Sequence, residues 1–115
     1  MSDTVIYHNP ACSTSRNTLA LLREKGVEPK VVEYLKTGWT KDQLQGLLKA
    51  MGKRARDILR TRGPADEMGL TDPAVSDEAL IAAMVEHPVL VERPIVVTPK
   101  GTVLCRPVDQ VLTVL

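Results

Sequence analysis

Four short apolar runs punctuate this chain, and the helical patterns between them leave few ways to fold it. Val5-Ile6-Tyr7, Val31-Val32 with Tyr34, Ile95-Val96-Val97 and Val103-Leu104-Cys105 have strand length and are rich in β-branched residues. Between the first two, Ser13 reads as a helix N-cap, Leu19, Leu21 and Leu22 supply an apolar side, and Gly26 stops the helix. Strand, helix and strand in that order predict a parallel pair joined by a right-handed crossover. Between the last two runs, Pro99-Lys100-Gly101 predicts a tight turn and an antiparallel hairpin. After Pro107, Val108, Val111, Leu112 and Leu115 repeat at helical spacing and predict a closing helix.

The middle of the chain is helical. Thr40 and Gln43 form a capping-box pattern, Leu44, Leu47, Leu48 and Met51 fall on one face, and Gly52 ends that helix. A short basic helix is expected from Ala55 to Arg60, then a loop-rich stretch from Gly63 to Pro73. Ser76 caps a further helix, with Asp77 and Glu78 in its first turn, and Leu80, Ile81, Met84 and Val85 as its buried side. The expected architecture is α/β, with residues 1–115 as one domain. It is a thioredoxin-like mixed four-stranded sheet with a helical insertion, at about residues 37–88, between the second and third strands. A chain of 115 residues can bury such a core without disulfides or metals, and because Phe is absent the core must be aliphatic.

Charge and composition exclude several classes. A formal charge of +1 gives no electrostatic footprint for nucleic acid. No apolar run approaches membrane-spanning length, and Met1-Ser2-Asp3-Thr4 lacks the basic start and apolar stretch of a signal peptide, so the cytoplasm is the expected location. A stable disulfide between Cys12 and Cys105 would be unusual there, and without a Cys-x-x-Cys pair a structural zinc site is not expected.

Cys12 lies between a strand end and a helix start, after the turn signal Asn9-Pro10. The first N–H groups of a helix lack intrahelical partners, and with the helix dipole they favour an anion. A thiol placed there can have its pKa drawn from about 8.5 into the range of roughly 3.5–7.5. Ser13 and Ser15 offer hydroxyl donors, and Arg16 and His8 could add positive charge. The alternative is an inert buried thiol, but Pro10, Ser13, Ser15 and Arg16 do not describe an apolar pocket. Thr18 stands where a Cys-x5-Arg phosphate loop would need arginine, and Ser15 stands where a dithiol motif would need cysteine. Cys12 is therefore a lone local thiol that needs an external thiol, or Cys105, to complete a redox cycle. Cys105 reads either as a small core residue or as that resolving thiol. Arginines can supply oxyanion binding: Arg54, Arg56, Arg60 and Arg62 in the insertion, and Arg93 and Arg106 flanking the hairpin at one open end.

His8-Asn9-Pro10-Ala11-Cys12-Ser13-Thr14-Ser15-Arg16 closely resembles the active-site loop of the glutaredoxin-linked ArsC arsenate reductases. The segments from His87 to Val97, containing Glu92-Arg93-Pro94, and Leu104-Cys105-Arg106-Pro107 resemble two further hallmarks of that family, and the likeness runs from Val5 to Leu115. Some members continue past this point with a basic helical tail. The resemblance implies that Cys12 is the nucleophile and that His8, Ser15 and Arg16 help keep its sulfur ionised. It also implies that Arg60, Arg93 and Arg106 hold the oxyanion, Arg60 through its likeness to the end of Asp57-Ile58-Leu59-Arg60. Pro94 is then the cis-proline of the fold. The implied reaction binds arsenate, forms a Cys12–arsenic adduct, and uses glutathione as co-substrate and glutaredoxin as partner, with no bound cofactor. Two other readings stay open. One is an ArsC-like thiol reductase or glutathione-linked enzyme with another substrate. The other is a regulator of the Spx type that binds RNA polymerase, against which Ser15 counts, since such proteins usually carry a Cys-x-x-Cys switch.

Overall fold

Ile6 sets the layout of the sheet. It pairs with Val31 on one side in parallel and with Val96 on the other in antiparallel register, and it is fully buried. A computed structural model of the chain describes residues 3–115; of the opening Met1-Ser2-Asp3-Thr4, the first two lie outside the described residues. Two compact units divide the chain, one made of residues 1–37 with 93–115 and the other of residues 38–92.

The first unit carries the whole sheet. Strands β1 (Val5–His8), β2 (Lys30–Glu33), β3 (Ile95–Thr98) and β4 (Gly101–Leu104) lie in the order β2-β1-β3-β4. The β1/β2 pair is parallel, and the β1/β3 and β3/β4 pairs are antiparallel. Helix α1 (Ser13–Glu24) makes the crossover, and a single turn, α2 (Tyr34–Thr37), follows β2. A 3-10 helix, Val108–Val114, packs against α1 and β4. The architecture is thioredoxin-like, with the second unit interposed between β2 and β3. The core of the first unit is Ile6, Leu22, Val96, Cys105 and Val111, with Leu19, Leu21, Val27, Val103 and Leu115 packed around them. This cluster holds no aromatic ring, but the expectation of a wholly aliphatic core needs correction, since Tyr34 in the same unit is fully buried and Trp39 in the other is buried as well.

The second unit is held by helix ends that satisfy their own backbone. Helix α3 (Lys41–Met51) opens with a closed capping box between Thr40 and Gln43 and ends at Gly52 with φ of 67°, a conformation glycine adopts without cost. Helix α5 (Asp77–Glu86) starts where Ser76 Oγ accepts the Ala79 N–H at 3.1 Å. Between them run the 3-10 turn Ala55–Asp57 and the single turn α4 (Pro64–Glu67); the 3-10 turn Pro88–Leu90 follows α5. Leu59 bridges Val91, and Leu44, Ile58, Leu80, Met84, Leu90 and Val91 are buried. No helix among the described residues is long and apolar enough to cross a membrane.

Several sequence expectations need correction. Cys12, not Ser13, is the N-cap of α1, because Cys12 still has extended dihedrals (φ −96°, ψ 123°) while Ser13 is helical. Tyr34 does not extend β2 but begins α2. The basic helix from Ala55 to Arg60 is only a 3-10 turn, since Leu59 and Arg60 are drawn out to meet Leu90 and Val91: Arg60 N–H donates to the Leu90 carbonyl at 2.7 Å. The Gly63–Pro73 stretch contains α4, with Pro64 in its first turn. Val85 is exposed. The closing helix has 3-10 geometry, whose threefold repeat aligns Val108, Val111 and Val114 and leaves Leu112 46% exposed.

This register predicts unequal costs for two leucines that the pattern alone treats alike. Leu22→Ala should lose about 2–5 kcal/mol, whereas Leu112→Ala should stay within about 0.5 kcal/mol. Urea unfolding of both variants measures the difference; equal losses would contradict the packing described.

Candidate active site

The loop that follows β1 delivers Cys12 to the head of α1. Asn9, Pro10, Ala11 and Cys12 form a turn in which Cys12 N–H donates to the Asn9 carbonyl at 3.0 Å, and Ala11 N–H donates to Asn9 Oδ1 at 3.0 Å. The Cys12 carbonyl then accepts Arg16 N–H at 3.0 Å, the first bond of the helix. Cys12 thus occupies the position where Ser, Thr, Asp or Asn would ordinarily cap. Its side chain closes no hydrogen bond of ordinary capping geometry, yet its sulfur lies near the N–H groups of the first turn. Partial burial pushes the thiol pKa up. The Ser15 N–H, the Arg93 guanidinium and the Thr14 N–H outweigh that effect, so the pKa falls below the ordinary thiol value.

His8 and Ser15 stand behind this loop. His8 is buried at the end of β1, and its Nδ1 lies 2.6 Å from Ser15 Oγ, which also accepts Asn9 N–H at 3.0 Å. Burial lowers the His8 pKa; the charge of Glu33 opposes this, and Arg23 and Arg16 reinforce it. His8 is therefore uncharged at neutral pH, and its part is a hydrogen bond to Ser15 rather than a positive charge. Arg16 is exposed, and its Nη1 donates to the Pro10 carbonyl at 2.9 Å, tying the helix to the turn.

The hairpin supplies the cation. Arg93 and Arg106 flank the Ile95–Leu104 pair, and Arg106 Nη1 donates to the Arg93 carbonyl at 3.1 Å. Both Arg93–Pro94 and Arg106–Pro107 peptide bonds are cis; the sequence singled out only Pro94. Arg93 is 8% exposed, and its guanidinium lies near enough to the Cys12 sulfur to lower that thiol's pKa. Its Nε and Nη1 are buried and have no partner among the described residues. An unpaired buried donor costs about 1–3 kcal/mol, more when charged. Arg93, whose charge acts on the Cys12 sulfur, therefore keeps donors that an anion can accept.

The remaining expected residues fall elsewhere. Cys105 is fully buried in the core of the first unit, and burial pushes its pKa up to about 12, so it stays protonated. Arg60 belongs to the second unit, where its Nε donates to the Arg62 carbonyl at 3.1 Å. Among the described residues, no three His, Cys, Asp or Glu side chains are grouped so as to hold a metal ion. Sequence reasoning missed the action of Arg93 on Cys12, and it treated Asn9 only as a turn signal. A pair of arginines each followed by proline was the available clue to the first.

Comparison with known proteins identifies a family and a shared fold. Residues 7–114 match the model of the ArsC family. An arsenate reductase from Rhizobium meliloti is 54% identical over 111 residues, covering 96% of this chain and 79% of that protein. One from Escherichia coli is 50% identical over 116 residues, covering 100% and 82%. Among solved structures, an arsenate reductase from Vibrio cholerae superposes with a TM-score of 0.92 at 46% identity, covering 97% of each chain.

The two thiols should respond oppositely to alkylation. Iodoacetamide should label Cys12 in the folded protein with a pH midpoint below that of a free thiol, because the thiolate persists to lower pH, and Arg93→Ala should move that midpoint up. Cys105 should react only after unfolding. Mass spectrometry of peptides labelled across a pH series checks this, and a Cys12 midpoint equal to that of a free thiol would refute the electrostatic account.

Proposed function

The chain belongs to the ArsC family, and we propose that it reduces arsenate to arsenite through a thiolate–arsenic adduct on Cys12. The observation that carries this reading is the pair of unpartnered, buried guanidinium N–H groups of Arg93 beside a sulfur whose pKa is lowered. A nucleophile and anion-binding donors at one place suit attack on a tetrahedral oxyanion.

The steps follow from the charges. Arsenate accepts hydrogen bonds from Arg93, and Arg106 holds the Arg93 main chain while its own charge lies near the same hairpin end. The Cys12 thiolate attacks arsenic, an S–As bond forms, and a protonated oxygen leaves as water. Glutathione thiol displaces a second oxygen as water, giving an arsenic centre with two sulfur ligands. A glutaredoxin thiolate then attacks the glutathione sulfur. The As–S electron pair stays on arsenic, which becomes trivalent, and a glutathione–glutaredoxin mixed disulfide leaves. Hydrolysis of the Cys12–arsenic bond releases arsenite and regenerates the thiol. Both reducing electrons come from external thiols, consistent with a core Cys105 that stays protonated.

Around the sulfur we assign His8 and Ser15 to holding the loop, and Arg16 to holding the turn by its bond to Pro10. Arg60 is assigned to oxyanion binding on the family resemblance alone. The cytoplasm, where glutathione keeps thiols reduced, is the compartment such a cycle requires.

An NADPH-coupled assay with glutathione, glutaredoxin and glutathione reductase tests the reading. Wild type should turn over arsenate, Cys12→Ser should not, and Cys105→Ser should retain activity. Arg93→Ala should lose roughly tenfold to hundredfold in kcat/KM, as expected for a charge-assisted hydrogen bond of about 1.5–3 kcal/mol. A comparable loss in Arg60→Ala would support its assignment. Absence of wild-type turnover, or undiminished turnover in Cys12→Ser, would overturn the proposal.

A further inference from the structure

Asn9 is 5% exposed, and three of its polar groups are committed to the loop that carries Cys12. Its N–H donates to Ser15 Oγ in the first turn of α1, its carbonyl accepts Cys12 N–H, and its Oδ1 accepts Ala11 N–H. The side-chain bond closes an Asx-turn over Pro10, whose ring fixes one φ of the same turn. The main-chain bonds tie one residue both to the cysteine and to the helix that cysteine caps. We propose that Asn9 is a positioning residue for the reaction proposed above, an uncharged brace that sets the Cys12 sulfur against the first N–H groups of α1.

The choice of amide over carboxylate follows from the surroundings. Aspartate at this position would accept the Ala11 N–H equally well, since Asx-turns use either residue. It would also place a negative charge one turn from a sulfur that works as an anion, where a further anion is to bind. The other charged and titratable groups around this loop are Arg16 and Arg23 on α1, Arg93 before β3, and His8 and Glu33 at the ends of β1 and β2. Only Arg93 contributes charge directly to Cys12, so the site has little positive charge to set against an added carboxylate. Asparagine supplies the acceptor without that cost. Serine, a shorter acceptor, can close a weaker turn of the same kind.

Three variants separate bracing from charge, and this inference rests on the reductase reading only for its activity arm. The primary readout is the pH profile of iodoacetamide labelling at Cys12, which needs no arsenate. Asn9→Ala should raise the labelling midpoint, Asn9→Ser should restore part of the shift, and Asn9→Asp should raise it above that of Asn9→Ser although its acceptor is retained. In the coupled assay Asn9→Asp should also raise KM for arsenate more than Asn9→Ser does. If Asn9→Ala fails to fold, the Asp and Ser variants still decide, because bracing alone predicts a midpoint for Asn9→Asp no higher than that for Asn9→Ser. Identical labelling profiles in Asn9→Asp, Asn9→Ser and wild type would overturn the proposal. The predicted order of midpoints in a protein that does not turn over arsenate would support the role of Asn9 and remove the arsenate reading instead.

Discussion

The first N–H groups of α1 need an acceptor, and the residue at the capping position carries sulfur. A hydroxyl or amide cap would satisfy the helix and end the matter. A thiol satisfies it best when ionised, so the helix and the reactivity of Cys12 draw on one interaction. Desolvation at the same place works against ionisation. The site is balanced by direct donors from two directions: the Ser15 and Thr14 backbone from the helix, and Arg93 from the hairpin. The buried His8–Ser15–Asn9 contacts exist to hold that geometry, since none of them adds positive charge.

The hairpin matters because it brings two arginines distant from Cys12 in sequence to the same unit. Strand β3 is an interior strand beside β1, so whatever precedes β3 emerges near the loop that leaves β1. Arg93 stands at that point, mostly buried; it lowers the Cys12 pKa, and its Nε and Nη1 have no partner among the described residues. Arg106, one step past β4, braces the Arg93 backbone. A parallel sheet alone would not juxtapose these ends; the antiparallel β1/β3 pairing does.

The parallel β1/β2 pair, the β3/β4 hairpin and the helix boundaries set by strong caps were legible in the sequence. Thr40 with Gln43, Gly52 and Ser76 act locally, so their signals survive without tertiary context. Failures came where tertiary contacts override local pattern. Leu59 and Arg60 leave a helical pattern because Leu90 and Val91 offer backbone partners far along the chain. The end of the chain shows apolar spacing compatible with either helix type, and packing against α1 and β4 decides for 3-10. At the site, Cys12 was legible from its place between strand and helix. The influence of Arg93 on its sulfur was not, because nothing local links residues 12 and 93. His8 looked like a source of charge, but its burial, reinforced by Arg23 and Arg16, lowers its pKa and keeps it neutral.

The central claim is that arsenic bonds to the Cys12 sulfur. X-ray absorption at the arsenic edge measures it most directly, on protein incubated with arsenate and glutathione but without glutaredoxin. To separate the protein's sulfur from glutathione's, wild type is compared with Cys12→Ser and Cys105→Ser. Sulfur should appear in the first shell of protein-bound arsenic in wild type and in Cys105→Ser, and Cys12→Ser should retain no arsenic–sulfur species. Protein-bound arsenic with sulfur in Cys12→Ser, or its loss in Cys105→Ser, would contradict the account.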